Sequence, residues 1–182
     1  MTTSAAPSAP TVPAAPPVPP ALEVVRHRAL DLLLSGAPLH GELAQLVEAD
    51  AVLTGSVLRV AHGPMYEPGG AGELDIADAL ERIGRSTLVL VISNMEGLPR
   101  RARREDVEAA CRSWVHALAV GAAARWLAST GSHGVLEEAY FAGLLHDAGR
   151  RGVARSGDRA AASERVLRTW HVPEPVALAA WL

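Results

Sequence analysis

From residue 21 onward, apolar residues recur at intervals of three and four, the spacing that places them on one face of an α-helix. The pattern predicts helices over 22–35 and 39–50, and a third helix that contains Leu53, Val57, Val60 and Ala61. Only the segment TLVLVISNM, which follows Ser86, has the β-branched residues of a buried strand. Since no second strand candidate exists to pair with it, we interpret this segment as a buried helix capped by Ser86. The chain is therefore predicted to be all-α.

Capping and turn residues divide the remaining chain into further helices. Asp75 is a good N-cap for a short helix that ends at Gly84, with an apolar face of Ile76, Ala79, Leu80 and Ile83. The longest helix is expected over about 105–129, with an apolar stripe of Val107, Cys111, Trp114, Leu118 and Ala122. A helix over 135–148 and two short C-terminal helices complete the prediction. Loops are expected at 63–73, which is rich in glycine and proline, and at 149–158.

The composition limits both the core and the chemistry. Apolar residues make up 49% of the chain but aromatic residues only 4%, so the core must consist mainly of Ala, Leu and Val, which favours closely packed helices. The 17 basic and 20 acidic residues give a net charge of −3, which argues against a nucleic-acid-binding protein. All the basic residues are Arg, and the absence of Lys excludes a lysine nucleophile, a Schiff base and a Walker-type phosphate loop.

The proline distribution predicts one folded domain behind a tail. Residues 1–20 hold seven of the 13 prolines, so we expect a flexible tail that is dispensable for folding, with a docking peptide as the alternative. The folded domain is expected over 21–182, with an N-terminal helical lobe at about 21–98 and a second lobe at about 105–182. Cys111 is the only cysteine, which excludes an intramolecular disulfide. The sequence shows neither a secretory signal nor an apolar stretch of membrane-spanning length, which predicts a cytoplasmic protein.

The strongest local motif is GLLHDAG at 143–149, in which His146 and Asp147 adjoin at the end of a predicted helix. Imidazole and carboxylate groups are both ligands for first-row divalent metals. His116, on the long preceding helix, is a third candidate ligand, because antiparallel packing of the two helices would bring it opposite His146. The alternative for His116 is a histidine that packs at the edge of the core, and a His-Asp dipeptide alone is a weak motif.

Five segments share their order and spacing with a known family. They are LVEADAVLTGSVLRVAH (46–62) with the Tyr-containing loop GPMYEPGG, DIADALERIGRSTLVLVISN (75–94), WVHALAVGAAARWLA (114–128), EEAYFAGLLHDAG (137–149) and ERVLRTWHVPEPVALA (164–179). The order of His116 and GLLHDAG resembles the H…HD pattern of the HD-domain phosphohydrolase superfamily. Over about residues 21–182, the chain resembles one branch of it, the HDOD (HD-related output domain) family.

This resemblance implies a two-lobe helical, HD-like fold. It also implies a non-catalytic module of a signalling pathway, which binds a protein partner or a small nucleotide such as a second messenger. The alternative is a metal-dependent HD-type phosphohydrolase or phosphodiesterase that acts on a nucleotide or a cyclic dinucleotide.

The HD motif is incomplete when it is compared with active HD enzymes. Those enzymes place a further acidic ligand on a later helix, and the acidic residues that follow Asp147 here do not match that position; they are Asp158, Glu164 and Glu174. Arg150 stands where many of them have Lys, and a guanidinium does not release its proton. Arg159 corresponds to a frequent histidine of the family, and its charge opposes metal binding. We therefore expect no catalytic residue, no metal and no other cofactor, with His116, His146 and Asp147 as vestigial positions.

Two arginine clusters are candidate contacts for phosphate groups or for a partner. They are Arg100, Arg101, Arg103 and Arg104 in the 98–106 junction between the lobes, and Arg150, Arg151 and Arg155 after the HD motif. The simpler alternative is that these side chains are solvated or form ion pairs with neighbours such as Glu105 and Asp106.

Overall fold

The computed structural model describes residues 22–66, 74–95, 101–131, 136–149 and 158–178. Within these ranges the chain forms helices and no strand, which confirms the all-α prediction. The helices are α1 Glu23–Leu34, α2 Glu42–Glu48, α3 Ala51–Ala61, α4 Ile76–Ile83, α5 Arg85–Ser93, α6 Arg104–Ser129, α7 Leu136–Leu145, α8 Arg159–Thr169 and α9 Glu174–Leu178.

Aspartate side chains cap three of these helices. Asp50 accepts hydrogen bonds from backbone N–H groups in the first turn of α3. Asp75 accepts a hydrogen bond from the backbone N–H of Asp78 in α4, and Asp158 accepts one from the backbone N–H of Ala161 in α8. Each carboxylate satisfies donors that have no partner within the helix. The predicted cap of α4 is thus confirmed.

The start of α5 differs from the prediction. Ser86 is not its cap: the helix begins at Arg85, and its N-cap is Gly84, which has a φ of 77°. A positive φ favours glycine, so this residue ends α4 and turns the chain directly into α5. The helix is also only half buried, because Leu88 and Ile92 face the core while Leu90 is exposed.

The core is mainly aliphatic, as the composition predicts, and most of its buried residues form one continuous cluster. The cluster takes side chains from α1 to α5 and from α7 to α9. Trp170, at the end of α8, packs its ring directly on Gly55 in the middle of α3. This contact joins the C-terminal helices to the N-terminal ones.

The long helix α6 packs mainly on α7, and its buried face differs from the predicted stripe. The buried residues of α6 are Ala110 and Gly121, whereas the side chains of Val107, Cys111 and Ala122 are exposed. Periodicity located the larger apolar residues, but the contact with α7 selects the smallest ones, because the two backbones meet closely at Gly121.

Some predictions fall on residues outside the described ranges. These are the tail at 1–20, most of the 63–73 loop, residues 150–157 of the second loop, and the last four residues. The two-lobe division, with its boundary at 98–106, stays a prediction; residues 101–106 of that junction are largely exposed. None of the helices described combines the length and the hydropathy that crossing a membrane requires.

We predict that Gly55→Ala lowers the free energy of unfolding by about 1–3 kcal/mol, because a Cβ at this position would overlap the Trp170 ring. Urea denaturation measures the difference. Gly131→Ala is the matched control, since a Cβ at Gly131 meets almost nothing and the change is expected to be nearly neutral. If the two variants were equally stable, the packing of the Trp170 ring on Gly55 would not contribute to the free energy of unfolding as we expect.

Candidate functional site

His116 on α6 and His146 directly after α7 lie in contact, as the antiparallel arrangement predicts. Their Nε2 atoms are 3.2 Å apart, and the ring planes meet at 65°. The Nδ1 atom of His146 lies 2.7 Å from the carbonyl oxygen of Gly143. A carbonyl only accepts, so this Nδ1 carries the proton, and Nε2 of the neutral ring is then an acceptor. The Nε2–H of His116 therefore donates to His146.

Glycines bring the two histidines together. A Cβ on Gly143 would lie 2.7 Å from the backbone oxygen of Val120 and 2.8 Å from Cα of Gly121. Real side chains do not approach backbone atoms so closely, so only glycine allows this helix crossing. Three residues after His146, Gly149 donates its N–H to the hydroxyl of Ser163 in α8. The histidine–aspartate turn is thus fixed at both ends.

Asp147 faces a neighbouring cavity. This cavity has a volume of about 50 Å³ and lies where the starts of α1 and α3 meet α6 and the end of α7. Most of its lining is apolar, and its polar side chains are Asp50, Ser113, Trp114 and Asp147. Because one water molecule needs about 10–15 Å³ by the same measure of volume, the cavity can hold a few waters or one small side chain.

Asp50 is the most deeply buried carboxylate of this region, with 1% of its surface exposed. One of its oxygens accepts hydrogen bonds from the backbone N–H groups of Val52 and Leu53, at 2.9 and 3.0 Å. Loss of hydration raises the pKa of the carboxyl above its ordinary value, and the backbone hydrogen bonds offset only part of that effect.

The structure does not gather the three expected metal positions into one ligand set. In the part of the chain that the structure describes, no three His, Cys, Asp or Glu side chains come close enough to hold a metal ion. His116 and His146 meet each other, and Asp147 lines the cavity beside them. The absence of a bound metal in the protein stays a prediction.

The arginines of the junction form local ion pairs. Arg103 contacts Glu105 at 2.7 Å and Asp106 at 3.3 Å, and Arg104 contacts Glu108 at 2.7 Å. These pairs are the simpler alternative that the sequence suggested. Arg101 is exposed, and Arg100, Arg150 and Arg151 lie outside the described residues.

Sequence reasoning did not identify Asp50 and the start of α3 as part of this site. A signal was available, because Asp50 directly precedes the apolar run AVL and is therefore a typical N-cap. Its place in the same cavity wall as Asp147 could not be inferred, since the two residues are far apart in the sequence and only helix packing brings them to one cavity.

In this structure two paired helices bring a histidine opposite a histidine–aspartate turn. This arrangement is that of an HD-like helical domain. The sequence profile of the HDOD domain matches residues 20–157 of the chain. The protein belongs to the HDOD family, which confirms the resemblance seen in its motifs.

Solved structures show the same fold. Two crystal structures of the MmoQ response regulator from Methylococcus capsulatus str. Bath, one of them a fragment, superpose with a TM-score of 0.62 and 21% sequence identity. The matches cover 88% of this chain and 71% and 74% of the MmoQ chains. At this identity the likeness establishes the fold alone. A search of curated proteins gives no significant match.

We predict that Asp50 makes the protein less stable as the pH rises above about 3.8. Because its pKa is raised on folding, the folded state binds more protons than the unfolded state in this range, and stability falls as the carboxyl ionises. Asp50→Asn keeps a capping oxygen without the charge, so its free energy of unfolding should fall less steeply between pH 4 and pH 7. Urea titrations at several pH values test this, and equal slopes for the two proteins would contradict it.

Proposed function

We propose that this HDOD domain is a non-catalytic module of a signalling pathway and acts by binding a protein partner. In this proposal the HD motif has a structural role, and the protein works in the cytoplasm without a cofactor. The MmoQ proteins that share the fold are named as response regulators, which supports a place in signalling.

One observation carries the proposal: the two histidines satisfy each other. His146 donates to Gly143 and accepts from His116, so its ring nitrogens are both used within the protein. A metal that bound His146 through Nε2 would have to break the contact with His116, and the described residues offer no ready third ligand. An HD enzyme needs that metal to activate water and to hold a phosphoryl oxygen.

The cavity favours a protein partner over a nucleotide. Its volume of about 50 Å³ fits a side chain and not a nucleotide. Asp50 and Asp147 place carboxyl groups in its wall, and ionised carboxylates repel phosphate groups. The mostly apolar lining suits a small apolar side chain from the partner.

A metal-dependent phosphohydrolase is the second candidate, and one distance favours it. Two nitrogens that each lie about 2.0–2.1 Å from one metal ion are separated by roughly 3 Å, close to the 3.2 Å between His116 and His146. The two hypotheses therefore make opposite predictions about metal content and turnover.

We expect far less than one equivalent of metal per chain after purification, and no turnover of cyclic dinucleotides or nucleotides in added manganese. Elemental analysis and a phosphodiesterase assay measure both. His146→Ala should change neither result, and His40→Ala, at an exposed histidine remote from the motif, is the matched control. Near-stoichiometric metal together with activity that His146→Ala abolishes would establish the enzyme instead.

We also expect Ala117→Leu, which fills the cavity, to weaken partner binding at least tenfold. Ala123→Leu, on an exposed part of the same helix, should leave binding unchanged. Quantitative pull-downs from the native cell, with melting temperatures to verify folding, compare the two variants. Equal recovery of the partner by both would exclude the cavity as the binding site.

A further inference from the structure

The helix α6 carries an apolar stripe most of which is exposed. Successive residues of an α-helix are rotated by about 100°, so eleven side chains of α6 fall within an arc of about 120°. Four of them, near the two ends of the helix, are charged or polar: Arg104, Glu108, Arg125 and Ser129. The other seven are apolar. They are Val107, Cys111, Val115, Leu118, Ala119, Ala122 and Trp126. All except the partly buried Leu118 are exposed, including Val115 at 56% and Trp126 at 66%. From Val107 to Trp126 the stripe is about 29 Å long, at a rise of about 1.5 Å per residue.

The stripe lacks charge along its middle. Between residues 109 and 124, every side chain within the arc is apolar. Exposed apolar surfaces of this extent mark interaction sites in soluble proteins. The residues that line the cavity lie on another face of α6, so this surface is independent of the function proposed above.

We propose that the stripe binds a second copy of this chain, with the two α6 helices antiparallel about a two-fold axis. In such a pair, residues equidistant from the middle of the stripe face each other. Cys111 then meets Ala122 of the other copy, and Val115 meets Leu118. The small side chains allow the helices to approach closely. Val115 lies at the centre, together with the exposed part of Leu118, which also packs on the core of its own copy.

The ends of the stripe are complementary in the same register. Trp126 of one copy comes opposite the part of α6 that carries Arg104 and Glu108 of the other. These two side chains form an exposed ion pair, with contact at 2.7 Å. A guanidinium stacks favourably on an indole ring, and a carboxylate accepts from an indole N–H. This match at both ends of the stripe is what supports a second copy in the antiparallel orientation as its partner.

Sedimentation velocity over micromolar to several hundred micromolar protein tests the proposal on the full chain. We expect a monomer–dimer equilibrium that Val115→Glu shifts at least tenfold toward monomer. Leu127→Glu is the matched control, because Leu127 is 61% exposed on the opposite side of the same helix. A wild-type protein that stays monomeric at every concentration would overturn the proposal, and so would equal effects of both variants.

Cys111 is exposed and supplies a second test of the register. Ala122→Cys should form a covalent dimer with oxidised glutathione, through disulfides between Cys111 of one copy and the new cysteine of the other. Ala123→Cys, one residue away and outside the arc, should cross-link at most a tenth as fast. Equal cross-linking would overturn the antiparallel register. A monomeric chain whose Val115→Glu variant loses a different bound protein would assign the stripe to that protein and overturn the self-association.

Discussion

The close crossing of α6 and α7 is the contact on which the site depends. It is made by two residues without side chains, Gly121 and Gly143, and their backbones approach to a distance that no Cβ permits. Around it, Arg125 of α6 contacts Glu137 of α7 at 2.6 Å, and the same guanidinium lies over the ring of Tyr140. Tyr140 also donates a hydrogen bond to the carbonyl of Glu48, which connects the helix pair to α2. The position of His116 against His146 follows from this packing.

The sequence predicts the fold far better than it predicts the faces of the helices. Helical spacing located the elements because each local segment repeats the 3.6-residue period, and Asp75 and Gly84 limited α4 as their capping preferences require. The stripe of α6 was misassigned because periodicity ranks residues by hydropathy. The real contact is selected by size, since Ala110 and Gly121 are buried while Val107 is exposed. The local sequence does not show whether hydropathy or side-chain size decides which face of a helix is buried.

The candidate site also has one part that the sequence predicts and another that it does not. The meeting of His116 and His146 could be predicted, because both lie on neighbouring helices whose order is known from the motif. The contribution of Asp50 could not, since it enters through the start of α3, almost 100 residues before Asp147. Asp147 lines the cavity and the adjacent His146 contacts His116. The sequence shows which residues are adjacent along the chain, but not the direction in which each side chain points.

The helix α3 contacts the cavity, the Trp170 ring and the core along its length. Its first turn is held by Asp50 at the cavity, its middle carries Gly55 beneath Trp170, and its last residue, Ala61, is fully buried. Because the indole ring leaves no free space over Gly55, α3 and the end of α8 are in direct contact there. A single helix of 11 residues thus links the Trp170 contact to the cavity wall. A substitution that displaces the Trp170 ring therefore acts directly on the helix whose first residues, Ala51 and Val52, line the cavity.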